Sequence, residues 1–357
     1  MASRRPTFNV DALPLGLTPR TIFVTGKGGV GKSTVTAALA LAWRDAGART
    51  LIVEIEGHAS AAATISNRKI GYEPVPLGEH LAAMRISLLD ALKEYARLRI
   101  KLKLVADRLV SNPIIDQFAQ AAPGFRDLLI LGKLWSLATE VDERGLPRWD
   151  AIVVDSPATG HGLGLLNMAG VIARMFPVGP IASEAKRVDA FTRDPARVGV
   201  VLVALPEELP VTETLELREQ LEEQGIDVAA TVLNGLLIDR FAPEEIERVR
   251  TALDRDTRAG SLDEAATHAL ETAIWEHTRS SDQADERERL DAGLGAAEAA
   301  LLPWMFSPQL EREHVASLAR WLTHAGQDVL LEQLAGATDG PAAAAAVHAA
   351  AHEERDA

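Results

Sequence analysis

Thr21-Ile22-Phe23-Val24-Thr25-Gly26-Lys27-Gly28-Gly29-Val30-Gly31-Lys32-Ser33-Thr34 decides how the rest of the chain reads. Its first five residues are β-branched or aromatic and stop at a glycine, as a short buried strand does. From Lys32 to about Ala46 the chain is rich in Ala and Leu and reads as a helix. Between strand and helix, Gly26 to Ser33 fits G-x-x-x-x-G-K-[ST], in the setting that pattern requires. The glycines let backbone N–H groups turn inward around a polyphosphate, and the helix N-terminus adds positive potential. Lys32 is then placed to reach the β- and γ-phosphates, and the Ser33 hydroxyl to ligate Mg²⁺. The competing reading, a glycine-rich turn that binds nothing, needs pattern and setting to agree by accident.

Working outward, a second strand falls in Arg49 to Glu56, around Leu51-Ile52-Val53-Glu54-Ile55. Further apolar runs lie at 151–154, 198–204 and 228–233, with a weaker one at Ala300-Leu301-Leu302. Near-continuous apolar strands alternating with helices predict an α/β fold whose doubly wound, mostly parallel sheet is covered on both faces. Residues 86–140 break the alternation. There Ala91, Tyr95, Leu98, Leu102, Val105 and Leu109 draw one apolar stripe along a helix, beside a basic cluster of Arg97, Arg99, Lys101, Lys103 and Arg108. A second helical part follows Pro123-Gly124, so the segment reads as a helical subdomain inserted into the sheet domain. The cluster is equally a solvated face or a partner-docking surface. The expected organisation is a loose lead-in at 1–18, one phosphate-loop domain at 19–330 with a second helical region at about 242–290, and a helix end with an Ala-rich tail at 331–357. His348 and His352 in that tail are spaced i, i+4 but have no third ligand in view, which makes a metal site there a weak reading.

Composition removes several functions. Of 357 residues, 37 are Lys or Arg and 51 Asp or Glu, a net charge of −14. That argues against a chain that coats nucleic acid or anionic membrane, since both require a cationic face. Cysteine is absent, which excludes disulfides, thiolate zinc, iron–sulfur ligation and cysteine nucleophiles. No apolar run approaches the roughly 20 residues of a membrane span, and the basic start has no apolar stretch behind it. The expectation is a soluble, cytoplasmic protein.

Gly26-Lys27-Gly28-Gly29-Val30-Gly31-Lys32-Ser33-Thr34 resembles the deviant Walker motif of the ATPases that include MinD, ParA, nitrogenase iron protein and the arsenical-pump/Get3 branch. The resemblance implies ATP and Mg²⁺ as cofactors, and a dimer in which Lys27 crosses to the partner's nucleotide. Asp155-Ser156-Pro157-Ala158-Thr159-Gly160-His161 is similar to the Asp-Thr-Ala-Pro-Thr-Gly-His switch of the arsenical-pump/Get3 branch. Asp155 alone could cap a helix. At the C-terminal edge of a strand beside the phosphate loop, however, a carboxylate suits a Mg²⁺-bound water, and the Thr159-Gly160-His161 tail implies a switch role. Leu205-Pro206-Glu207-Glu208-Leu209-Pro210-Val211-Thr212-Glu213-Thr214 resembles the loop after a central strand in this branch. Asn234 resembles the family's adenine-binding asparagine, though it also reads as a turn residue, and Pro303 lies where the family places a second adenine-side segment.

One departure bears on the chemistry. The branch usually has Asp-Pro-Ala-His-Ser as its first switch; here the matching stretch is Glu56-Gly57-His58-Ala59-Ser60. Glu56 keeps the carboxylate that would act on water, but its extra methylene shifts the reach by about 1.5 Å. At about 10²-fold per ångström of misplacement, that is enough to slow hydrolysis. Gly164 stands where relatives often carry arginine, and the run around Glu56 is most similar to cysteine-free actinobacterial members that occur as paralogous pairs. The resemblance implies an ATP-driven switch serving a protein client, as a homodimer or with a paralogous ATPase, with at most indirect membrane association and no nucleic acid. Two rivals stay open. One is a non-hydrolysing regulatory subunit of a heterodimer. The other is a MinD/ParA-like positioning ATPase, which should carry a basic amphipathic C-terminal helix rather than the ending His352-Glu353-Glu354-Arg355-Asp356.

Overall fold

The computed structural model describes residues 13–18, 20–55, 61–99, 124–176, 178–259 and 262–336. The opening strand, β1 (Thr21–Gly26), lies in the middle of a sheet that has eight strands among the described residues. In chain order the others are β2 (Thr50–Ile55), β3 (Val75–Gly78), β4 (Leu81–Ile86), β5 (Ala151–Asp155), β6 (Val198–Ala204), β7 (Val228–Leu236) and β8 (Ala300–Pro303). Their spatial order is β3-β4-β2-β5-β1-β6-β7-β8. Every pairing is parallel except the antiparallel β3–β4 edge.

All residues of β1, β2, β5 and β6 are buried, because successive side chains enter opposite apolar layers. Phe23, Val53, Val154 and Leu202 join one layer. Ile22, Val24, Ile52, Val153 and Val203 join the other. The second layer is filled by α1 (Lys32–Asp45), buried continuously from Val35 to Trp43, with α9 (Arg312–Trp321) packed over it.

The helical insert occupies the first layer. After β4 come α2 (Leu88–Arg99) and, beyond residues outside the description, α3 (Phe125–Thr139). Ala91, Leu92, Leu128, Leu131 and Leu134 lie in the same cluster as Phe23 and Val53, so the insert shares the sheet's core. Of the stripe read along the insert, Ala91 is buried and Tyr95 half-buried; Leu102, Val105 and Leu109 lie outside the described residues, as does the side chain of Leu98. α4 (Thr159–Met175) and α5 (Pro180–Thr192) complete this layer.

The helical region expected at 242–290 is two helices, α7 (Pro243–Ala259) and the long α8 (Glu264–Leu294). With α6 (Glu208–Glu223) and α10 (His324–Gly336), α8 closes a third cluster over the ends of β7 and β8, through Val211, Leu290, Leu294 and Leu330. No described helix is long and apolar enough to cross a membrane.

The architecture is that of a P-loop nucleotide-binding fold. Its parallel order brings the C-terminal ends of β2, β5, β1, β6 and β7 side by side, the edge at which doubly wound sheets bind ligands.

Candidate nucleotide site

The site begins where β1 must stop. At Gly26 and Gly31 the backbone takes φ of 153° and 89°. A Cβ at Gly26 would collide with the Val203 carbonyl, and one at Gly31 with the Asn234 amide. Only glycine fits such positions. Gly28 and Gly29 differ, since a Cβ at either would meet no atom within 4 Å. The loop is therefore clamped from behind and open in front, as a phosphate cradle should be.

α1 starts at Lys32 with no side-chain cap, leaving the N–H groups of its first turn for an anion. Lys32 Nζ donates to the Lys27 carbonyl at 2.7 Å. Burial holds the Lys32 ammonium below the ordinary lysine range, and the charge of Asp155 offsets this only in part. Ser33 Oγ donates to Asp155 Oδ2 at 2.7 Å. Asp155 closes β5 at 1% exposure. Burial pushes its carboxyl up to about 6. Neighbouring Glu54 adds to the rise, while the Ser33 hydroxyl, the Lys32 charge and the Ala61 N–H oppose it. These donors fit a magnesium polyphosphate: a hydroxyl beside a carboxylate offers hard oxygen ligands, and a half-buried ammonium is a ready partner for phosphate.

The second lysine turns elsewhere. Lys27 Nζ is ion-paired with Glu213 Oε1 of α6 at 2.7 Å, both side chains about one-third exposed. Within this chain it points to a carboxylate. Asn234, expected on the adenine side, donates from Nδ2 to the Val30 carbonyl at 2.9 Å. This contact braces the phosphate loop from behind, and the bare Cα of Gly31 makes room for it. Pro303 ends β8 opposite Leu236. The next residue, Trp304, donates its N–H to the Leu236 carbonyl and covers Gly235 while staying 52% exposed.

Thr159, Gly160 and His161 open α4 at the same sheet edge, but their side chains lie outside the description. Glu56, Gly57 and His58, with Ala59 and Ser60, lie outside the described residues. The sequence reading passed over three groups. Glu54 is a buried carboxylate whose signal is a charge inside an apolar strand. Glu213, which the sequence reading included in the loop at 205–214 without giving it a role, is the partner of Lys27. Gln283 of α8 accepts the Leu237 N–H at 2.8 Å and so holds the exit of β7; neither Glu213 nor Gln283 has a local sequence signature.

A family profile described as Anion-transporting ATPase matches residues 19–178 and 178–256. ATPase BagA of Mycobacterium tuberculosis is 30% identical over 283 residues, which span 75% of this chain and 83% of that protein. Arsenical pump-driving ATPases of Acidiphilium multivorum and Escherichia coli are each 29% identical, over 244 and 238 residues. Those matches span 64% and 61% of this chain but only 41% and 40% of the relatives. A clamped phosphate loop, a hydrogen-bonded serine–aspartate pair beside it and a profile running through both place this chain in the ArsA-type, anion-transporting ATPase family.

Proposed function

We propose that the chain hydrolyses Mg-ATP and uses the cycle to switch a dimer between two shapes, one of which engages a protein client. The observation that carries this reading is the grouping of Lys32, Ser33 and Asp155 about an open glycine cradle at the edge of the sheet. Lys32 would neutralise phosphate charge, and the first-turn N–H groups would orient the phosphates. Ser33 and Asp155 would hold Mg²⁺ and its water; the metal's contribution is to neutralise charge on the transferring group. Glu56 is the candidate for positioning the attacking water. Lys27 would leave Glu213 for a partner's nucleotide, and movement at the start of α4 would pass the nucleotide state to the insert. The partner is a second copy or a paralogous ATPase.

Steady-state phosphate release with Mg-ATP, run beside Lys32→Ala and with mass measured by light scattering, tests this. The expected result is turnover that falls at least about 10²-fold in the variant, together with ATP-dependent doubling of mass. ATP binding without turnover by a monomer would instead favour the regulatory-subunit reading, which the glutamate at position 56 keeps in play. Glu56→Asp then separates the two: faster release marks an impaired site, slower release one adapted to glutamate.

A further inference from the structure

Glu54 has no place in the phosphate-loop pattern, yet it is 1% exposed and stands in register between Arg85 of β4 and Asp155 of β5. Its Oε2 accepts from Arg85 Nη2 at 2.7 Å and Nε at 3.1 Å. Its Oε1 accepts the Ala62 N–H at 2.9 Å. The Ala61 N–H, one residue earlier, lies near enough to Asp155 to favour its charged form. One N–H is thus bonded to Glu54 and its neighbour lies beside Asp155, the adjacent buried carboxylate that also takes the Ser33 hydroxyl. Directly after them the chain winds into a single 3-10 turn, Ala62–Thr64, with Ile65 and Ser66 donating back to the Ala62 carbonyl.

Packing alone does not call for a glutamate here. Leu51, Ile52, Val53 and Ile55 fill the same strand with apolar side chains, and burying the Glu54 carboxylate carries a desolvation cost that its pairing with the partly exposed Arg85 has to offset. What the carboxylate supplies is an anchor at a fixed point. Arg85 holds it from one side, and it holds Ala62 on the other. Ala62 carries Ala61, whose N–H is aimed at the Asp155 carboxylate. Groups that orient a metal's ligands in this way commonly contribute about 10–100-fold in metal affinity or activity.

We propose that Glu54 is a positioning residue for the metal corner: it pins the Ala61–Ala62 turn, which sets the orientation of the Asp155 carboxylate toward Ser33. The proposal rests on the reading of Asp155 as a ligand of a Mg²⁺-bound water. Glu54 itself touches neither phosphate nor metal in this account.

Two variants test it. Glu54→Gln keeps the shape but can no longer accept on both sides. The double variant Glu54→Leu with Arg85→Leu replaces the ion pair by apolar contact, which keeps the strand packed while removing the tether. Hydrogen exchange in the nucleotide-free protein is read on peptides covering Ala61 to Ser66, together with the Mg²⁺ concentration for half-maximal phosphate release. The expected result is exchange about tenfold faster or more on those peptides, with β2 and β4 unchanged, and a Mg²⁺ requirement raised about 10–100-fold. The double variant should melt near the wild type and still show both effects. Wild-type exchange and wild-type Mg²⁺ requirement in the double variant would overturn the proposal, because the pair would then serve packing alone. Absence of Lys32-dependent turnover in the wild type would instead remove the ATPase reading, leaving the exchange result to decide whether Glu54 holds the turn.

Discussion

Asp155 shows what one buried carboxylate does to the stability of a fold. Its pKa in the fold, about 6, is above the ordinary 3.8, so the unliganded fold holds the proton more tightly than the unfolded chain does. The stabilisation this gives is complete below about pH 4 and is lost as pH rises through about 6. Above that, a charge is buried at a cost on the order of 1–3 kcal/mol. Asp155→Asn should therefore raise the stability of the nucleotide-free chain at pH 8 by that order, with the gain shrinking as pH falls toward 4. Paired urea titrations across this range would show it. The same variant should lose Mg²⁺-dependent phosphate release, so one substitution trades activity for stability.

Among the elements, the phosphate loop owes its shape to strands far away in sequence. Val203 of β6 stands behind Gly26, and Asn234 of β7 behind Gly31. Asn234 is positioned in turn by the exit of β7, where Gln283 of α8, 4% exposed, satisfies the Leu237 N–H. Gln283→Leu would orphan that N–H and should destabilise the chain by about 1–3 kcal/mol. Nucleotide affinity should fall along with the melting temperature, since the Asn234 brace moves with the exit. Fluorescent-nucleotide titration beside a thermal melt would check both.

The elements also divide by how far the sequence disclosed them. β1, β2, β5 and β6 were legible because burial on both faces writes an unbroken apolar run. β3 and β4 were not. Leu81-Ala82-Ala83-Met84-Arg85-Ile86 mixes helix-favouring residues with a charge, and it is a strand because β2 offers it an open edge. Lys32, Ser33 and Asp155 could be named from a local pattern. Glu54 announced itself only as a charge inside an apolar strand, and the roles of Glu213 and Gln283 not at all, since each acts on a partner that only the fold brings near.

For the molecule as a whole, the strand order gathers into one edge groups that come from both ends of the chain. Lys27 illustrates the consequence for assembly. Its ion pair with Glu213 is partly exposed, and such pairs contribute only about 0–1 kcal/mol. Lys27→Ala should thus leave the monomer's melting temperature nearly unchanged while abolishing ATP-dependent doubling of mass in light scattering. Doubling that survives in the variant would mean that Lys27 has no part in the dimer.

The braces of the phosphate loop also set a schedule for synthesis. The contact from Val30 to Asn234 spans 204 residues. At about 5–20 residues added per second, the loop and α1, whose run from Val35 to Trp43 is buried in the finished fold, would wait roughly 10–40 s for the strand that closes behind them. Parallel pairing of this range is slow to form and exposes apolar surface meanwhile. The nascent chain should accordingly depend on chaperones until β7 has left the ribosome, and ATP should find no site on it before then.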